Sequence, residues 1–329
     1  MIGPASRTVP GIVALCLGAL AAHGLSAFVG VNELLLAIGL GVALTNTVGI
    51  PDRLRAGMAT HNVWLAAGIV LLGSSLTLGS VLETGSNILL LLVAAVTVTV
   101  LLVEAIARNV AGLTERLGSL LAAGAGICGV SAVVAVGGAI RAKETQIAYA
   151  AGVVLLVDAI TIVVYPIVGS ILDLSGIVFG VWAGVSMLST GPVVAVGFAH
   201  SEAAGQWATM TKLARNALIG AVALGYASYY ARRGAGGPTS IRMLWGNFPK
   251  FVLGFLAFVG LASVGVFSPG QRASMANAVD WLFLLAFVGL GTEIRINDLR
   301  RTGFVPALVV FAAILVVSVL SLAVAMAVF

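Results

Sequence analysis

Long apolar runs fill this chain, each about the length of a bilayer crossing and each closed by a few polar or charged residues. A helix needs about 20 apolar residues to cross the hydrocarbon core. On that rule eleven segments read as spans: 9–29, 33–49, 60–79, 87–108, 116–140, 146–170, 174–199, 205–231, 247–267, 274–293 and 303–328. The pattern predicts an all-α polytopic membrane protein with ten to eleven transmembrane helices. Breaks between runs are short, and the longest, near 232–246, contains "RRGAGGPTSIRMLW", the one linker-like stretch. A single integral membrane transport domain is expected, with halves near 1–170 and 174–329.

Composition agrees. The 329 residues are 60% hydrophobic and 9% charged, with a mean hydropathy of +1.14, where a soluble domain carries about 25% charged residues. A net charge of +5 could suggest nucleic acid. The basic residues stand in ones and twos between apolar runs, which fits positive-inside loops and no nucleic-acid partner. With eleven spans, one side collects Arg7, Arg53, Arg55, Arg108, Arg116, Arg232, Arg233, Arg242, Lys250, Arg295, Arg300 and Arg301. The other receives Arg141, Lys143 and Arg272, so the count is twelve against three. The N-terminus is expected in the cytoplasm and the C-terminus outside, across the cell's inner membrane. Val9–Val29 is long enough to span and no small-residue cleavage site follows it, so it is expected to stay.

Two cysteines, Cys16 and Cys128, make neither a disulfide framework nor a zinc spacing. His23, His61 and His200 lie far apart, and no glycine-rich loop ends in Lys-Ser/Thr. No enzymatic constellation and no cofactor is expected beyond a coupling ion, H+ or Na+. His23 and His61 read as structural. Glu104 and Asp280 lie near span ends and read as interfacial.

Carriers are often built from inverted repeats. "MATHNVWLAAGIVLLGSSLTLGSVLETG", from Met58, can be laid on "MANAVDWLFLLAFVGLGTEIRINDLRRTG", from Met275. Trp64-Leu65 meets Trp281-Leu282, and these segments are seven spans apart, so they should run in opposite directions. Chance similarity between Leu/Gly-rich helices is the alternative. A second echo, "VVAVG" at Val133–Gly137 and Val193–Gly197, has a spacing of sixty that also relates Gln146 to Gln206. Coincidence in a Val/Ala-rich alphabet would explain that one equally well.

Three stretches carry chemistry. In "GAGICGVSAVVAV", Gly124–Val136, the glycines would relax the helix and let a ligand approach the backbone at Gly126 and Gly129, while Ser131 offers a hydroxyl. Freed backbone groups are tolerated in a membrane only beside protein or a watery cavity, and the N-terminal end of a broken helix suits an anion. Close helix–helix packing by small residues is the alternative reading, within one chain or between two copies as a homodimer. "GVWAGVSMLSTGPVVAVG", Gly180–Gly197, has Gly191-Pro192 as a break signal, with Ser186, Ser189 and Thr190 clustered at it. A kinked packing helix is its alternative. In "ATMTKLARNALIG", Lys212 and Arg215 share one helix face. At mid-membrane each would cost about 2.5–3.5 kcal/mol unless paired or hydrated. Either they face an anion there, or the span starts at Leu213 and both snorkel. Asp158, central in its span, reads as a coupling residue or as a partner for Lys212 or Arg215.

These stretches, together with "RAKETQIAYA" and "LGTEIRINDLRRTG", resemble a family of bacterial and archaeal inner-membrane proteins known as the sulfate exporter family. The resemblance runs over most of the chain from about residue 33. It implies a secondary transporter distantly akin to the bile acid symporter and related carriers, which have inverted repeats and crossed broken helices. It places the family pattern on Cys128, Gly129, Ser131, Trp182, Gly184, Ser186, Lys212 and Arg215. In that family a His-Asp pair precedes the Thr matched by Thr190. This chain has Leu188-Ser189 there, and carries Asp158 where a small uncharged residue is usual.

The expectation is a carrier of a small anion, sulfate or a related sulfur oxyanion or organic anion. Its substrate-binding residues would be Gly126, Cys128, Gly129, Ser131, Ser186, Ser189, Thr190, Lys212 and Arg215, with Asp158 coupling. The competing expectations are a cation-coupled carrier of a neutral or zwitterionic solute, and a channel or non-transporting membrane protein.

Overall fold

The computed structural model describes residues 4–76, 78–233, 250–301 and 303–329; the linker-like stretch lies mostly outside them. Among these residues there are helices and no strand. Six helices are long and apolar enough to cross a membrane: Thr8–Val29, Asp52–Ser75, Ile88–Val110, Glu144–Ile171, Pro269–Glu293 and Phe304–Val328. The protein is thus an all-α polytopic membrane protein. In space the chain forms two compact units, Met1–Thr84 with Lys250–Ile296 and Gly85–Pro249 with Asn297–Phe329. This division interleaves the two ends of the sequence.

The first unit holds α1 (Pro4–Val29), α2 (Glu33–Thr47), α3 (Asp52–Met58), α4 (His61–Leu72), the start of α5 (Leu78–Ala105), α13 (Phe251–Ser263) and α14 (Pro269–Glu293). Side-chain caps fix where these helices begin. Asn32 accepts the N–H of Leu34, and Ser268 forms a capping box with Gln271 just ahead of Pro269. Glycine lets backbones touch. A methyl on Gly57 of α3 would lie 2.2 Å from the carbonyl oxygen of Thr8 on α1, and one on Gly291 of α14 would lie 2.2 Å from that of Ile38 on α2. Asn46 donates to the carbonyl of Ile294 and accepts from the N–H of Ile296, both at 2.8 Å. The two segments of the longer sequence repeat lie side by side here. His61 sits opposite Gly289 and Gly68 opposite Phe283, so α4 and α14 run antiparallel. Both histidines read as structural have acidic neighbours: His23 lies 2.7 Å from Glu33 and buried His61 3.4 Å from Glu293.

The second unit contains the rest of α5, a single π turn at Ile106–Val110, α6 (Glu115–Gly126), α7 (Val130–Ala139), α8 (Glu144–Ile171), α9 (Gly176–Ser186), α10 (Thr190–His200), α11 (Glu202–Asn216), α12 (Ile219–Arg232) and α16 (Phe304–Val328). The short α15 (Ile296–Arg301) leads into α16. Segments 116–140 and 174–199 read from sequence as spans with interruptions. The structure folds each of them back on itself. Across the first turn, Gly124 faces Val133 and Gly137 faces Leu120. Across the second, the Phe179 and His200 rings stack at 4.0 Å, and His200 Nε2 lies 2.9 Å from the carbonyl oxygen of Leu174. Partners symmetric about residue 128 or 189 mean that α6–α7 and α9–α10 are antiparallel helical hairpins. An arm of ten to twelve residues rises about 15–18 Å, half a hydrocarbon core.

Candidate functional site at the hairpin tips

Three through-running helices set the depth of the tips. Helix α8 starts beside the base of the first hairpin, where Gln146 donates to Thr114 Oγ1 at 3.2 Å. It passes the first tip at Val154, which faces both Gly124 and Gly129. It ends beside the arms of the second hairpin, with Gly169 against Phe179. Helices α11 and α12, joined at Ala217-Leu218, run the other way. Gly180 and Gly184 of α9 press on Ala204, Trp207, Ala208 and Thr211 of α11. At the far end of α12, Arg233 donates to Glu115 at 3.0 Å, at the base of the first hairpin. The two hairpins therefore enter this unit from opposite ends and meet tip to tip at mid-length. Gly129 is held at φ +68°, and a methyl there would lie 2.1 Å from Ser189 Oγ of the other tip. Only glycine takes that conformation without strain.

Lys212 and Arg215 stand at this meeting point. They are 0% and 1% exposed, so they are deep in the unit and do not snorkel. Lys212 Nζ donates to the carbonyls of Ile127 at 2.8 Å, Met187 at 2.9 Å and Leu188. Arg215 donates to Gly126 at 2.8 Å, Met187 at 2.7 Å and Ala125. Those carbonyls belong to the C-terminal ends of α6 and α9 and the turns that follow them. The last four carbonyls of a helix have no intrahelical partner and carry about half a negative charge. The two cations cap both ends at once and tie the hairpins together.

The opposite ends, the N-termini of α7 and α10, are lined by hydroxyls. Ser131 is exposed in the first turn of α7, while Ser189 and Thr190 are half-buried at the start of α10. Asn216 Nδ2 donates to Thr190 Oγ1 at 3.0 Å. The Ser189 N–H donates to Asp158 Oδ1 at 3.2 Å, while Asp158 Oδ2, in a residue 3% exposed, has no hydrogen-bond partner. Asp158, on α8, thus stands beside the start of α10.

Of the residues singled out from sequence, Gly126, Cys128, Gly129, Ser189, Thr190, Lys212, Arg215 and Asp158 converge at the tips, with Ser131 on the first turn beyond. Ser186 does not join them. It donates to the Trp182 carbonyl and accepts from the Tyr165 hydroxyl at 2.8 Å, in a network with Ser318. The second break falls at Met187–Ser189, ahead of Gly191-Pro192. Pro192 occupies the first turn of α10, where an N–H would have no intrahelical partner. Sequence reasoning missed Asn216, although it follows Lys212 by four residues and so shares its face. Glu104, read as interfacial, is largely buried. It pairs with Arg108 and accepts from Ser119 at 2.7 Å and Tyr226 at 2.9 Å, anchoring α5 to α6 and α12.

Two helical hairpins meeting tip to tip inside a set of apolar helices define a polytopic membrane protein whose hairpin turns are covered by other helices. The chain belongs to the family described as Conserved hypothetical protein 698, which it matches over residues 10–310. It is similar to a UPF0324 membrane protein of Nitratidesulfovibrio vulgaris, 31% identical over 314 residues that cover 91% of this chain and 87% of the relative. One from Clostridium tetani is 28% identical, covering 88% of each chain. One from Rhodopirellula baltica is 30% identical over 80% of this chain and 51% of its own length. These relatives are named as membrane proteins, without a transported solute.

Proposed function

We propose that this protein is a secondary transporter that moves a small anion across the inner membrane by alternating access, with its site at the hairpin tips. The observation that carries this reading is the charge balance there. Two buried cations, Lys212 and Arg215, stand against one buried carboxylate, Asp158. The cations cap the two negative helix ends, so the positive N-terminal ends of α7 and α10 are left to a solute. One excess positive charge in an apolar setting calls for an anion. Sulfate or a related sulfur oxyanion, or an organic anion, suits N–H groups and the hydroxyls of Ser131, Ser189 and Thr190.

The hairpin geometry also sharpens the proposed orientation. A hairpin returns the chain to the side it left, so nine crossings remain and Arg141 and Lys143 join the majority side. Twelve plus two makes fourteen basic residues on the cytoplasmic side against Arg272 alone outside.

A second reading, a cation-coupled carrier of a neutral or zwitterionic solute, is favoured by one fact: three donors of Lys212 and three of Arg215 go to backbone carbonyls. Counterflow in liposomes, over sulfate, thiosulfate, sulfite, sulfonates, carboxylates and neutral amino acids, tests both readings. Exchange of one anion class supports the first. Exchange confined to neutral solutes, with pH or sodium dependence abolished in Asp158→Asn, supports the second. Absence of exchange for every solute would sink the carrier reading.

A further inference from the structure

Hydrogen-bond counting matches Lys212 to an ammonium. Three carbonyl oxygens lie within bonding distance of Nζ, those of Ile127, Met187 and Leu188. An ammonium has three donors and no acceptor, which matches them one for one. A neutral amine would turn its lone pair toward one of the carbonyls and leave that oxygen unpaired in a fully buried place. As an ammonium, the group in the cage is a compact monovalent cation on a tether.

The cage has the composition of a site for a free ion. Backbone carbonyls at the ends of discontinuous helices are the ligands that membrane carriers present to a coupling cation, and hard cations take oxygen ligands of this type. Here two such ends, from hairpins that enter from opposite directions, converge on one point. A carboxylate stands beside it. Asp158 Oδ1 accepts the N–H of Ser189, the residue after Leu188, and Asp158 Oδ2 is buried without a partner. Arg215 covers the neighbouring carbonyls of Ala125 and Gly126 and shares that of Met187.

We propose that the Lys212 ammonium is a built-in substitute for a coupling cation, filling a monovalent-cation cage made by the carbonyls of Ile127, Met187 and Leu188 and closing it to sodium. Removing the side chain opens the cage to a free monovalent cation. The consequence for transport, a cycle indifferent to sodium, rests on the carrier reading above. The cage itself does not.

The test is a set of thermal midpoints of the purified full-length protein in sodium, potassium, ammonium, methylammonium and choline chloride at one ionic strength. The unmodified protein should melt at the same temperature in all five. Lys212→Ala should melt lower in choline and regain most of the loss, saturably, in ammonium, methylammonium or sodium. Lys212→Met, whose side chain fills the space without a charge, should melt low in every salt. A sodium-specific stabilisation of the unmodified protein would overturn the proposal. So would a Lys212→Ala protein that responds alike to all five salts, or that cannot be recovered folded in any of them, ammonium included. Because the readout is stability, failure of the carrier reading would show separately, as absent counterflow with the cation response intact.

Discussion

At the residue scale, the tips are held by donors and by the absence of a side chain. Of the two tip cations, Arg215 donates to Ala125 and Gly126, and both donate to Met187. Each buried polar group left unsatisfied costs on the order of 1–3 kcal/mol. Arg215→Met should therefore lower the thermal midpoint strongly. Arg215→Lys should recover only part of it, because an ammonium cannot reproduce the planar fork of donors. Recovery of the full unmodified midpoint by Arg215→Lys would show that the fork is unimportant. Gly129 makes a second case. An alanine there meets both a positive-φ backbone that side chains rarely adopt, at about 1–3 kcal/mol, and Ser189 Oγ. Gly129→Ala should destabilise the protein, and adding Ser189→Ala should return the part due to the clash. Strict additivity of the two changes in a thermal-unfolding cycle would remove the tip-to-tip contact from the account.

At the element scale, the hairpins make a topological prediction. Thr114 and Arg141 flank the first hairpin, and Asp173 and Ser201 flank the second. Single cysteines at these four positions, in a protein with Cys16 and Cys128 replaced, should label with a membrane-impermeant reagent in pairs. The first pair should react from the cytoplasmic side and the second from outside. Labelling of Thr114→Cys and Arg141→Cys from opposite sides would restore 116–140 as a crossing. The sequence made every apolar segment legible, because a bilayer demands long apolar runs whatever their path. It hid the fold-back, because two arms and a turn occupy as many residues as one span. The tip signals were visible as Gly124–Ser131 and Ser186–Pro192, yet glycine marks a kink, a close crossing and a turn alike. A better clue lay in the charges. Of the three basic residues on the wrong side, Arg141 and Lys143 sit together just after the first hairpin. Ser186 was misplaced for another reason: a serine near a break can turn to its own helix carbonyl and a neighbouring tyrosine, as this one does.

At the scale of the whole molecule, both the eleven-span reading and the nine crossings proposed here are odd in number, so the two chain ends should lie on opposite sides. Alkaline phosphatase fused after Phe329 should be active, and a fluorescent protein fused there should stay dark. The reverse pair of results would displace the proposed orientation. The long sequence repeat predicted two segments of opposite direction, and the structure has α4 and α14 antiparallel and in contact. The weaker echo proved the more informative, since Val133 and Val193 are each the fourth residue of a second hairpin arm, α7 and α10. Periodicity alone could not show this, because Val and Ala recur throughout the chain by composition.

The spacing of sixty has a consequence in parity. Each repeat consists of a hairpin, which ends where it began, and one through-running stretch: α8 in the first, α11 with α12 in the second. The traverse number of such a module is one. Any tandem copy of a module with odd traverse number emerges facing the other way, with no inversion event required. A single end-to-end duplication of about sixty residues would by itself bring two tips toward each other from opposite directions. Asymmetry then needs only point changes, and the largest are Lys212 and Arg215, whose counterparts sixty residues earlier are Gly152 and Leu155. On that account the through-running helix of one copy carries Asp158, and that of the other carries the two charges that tie both tips.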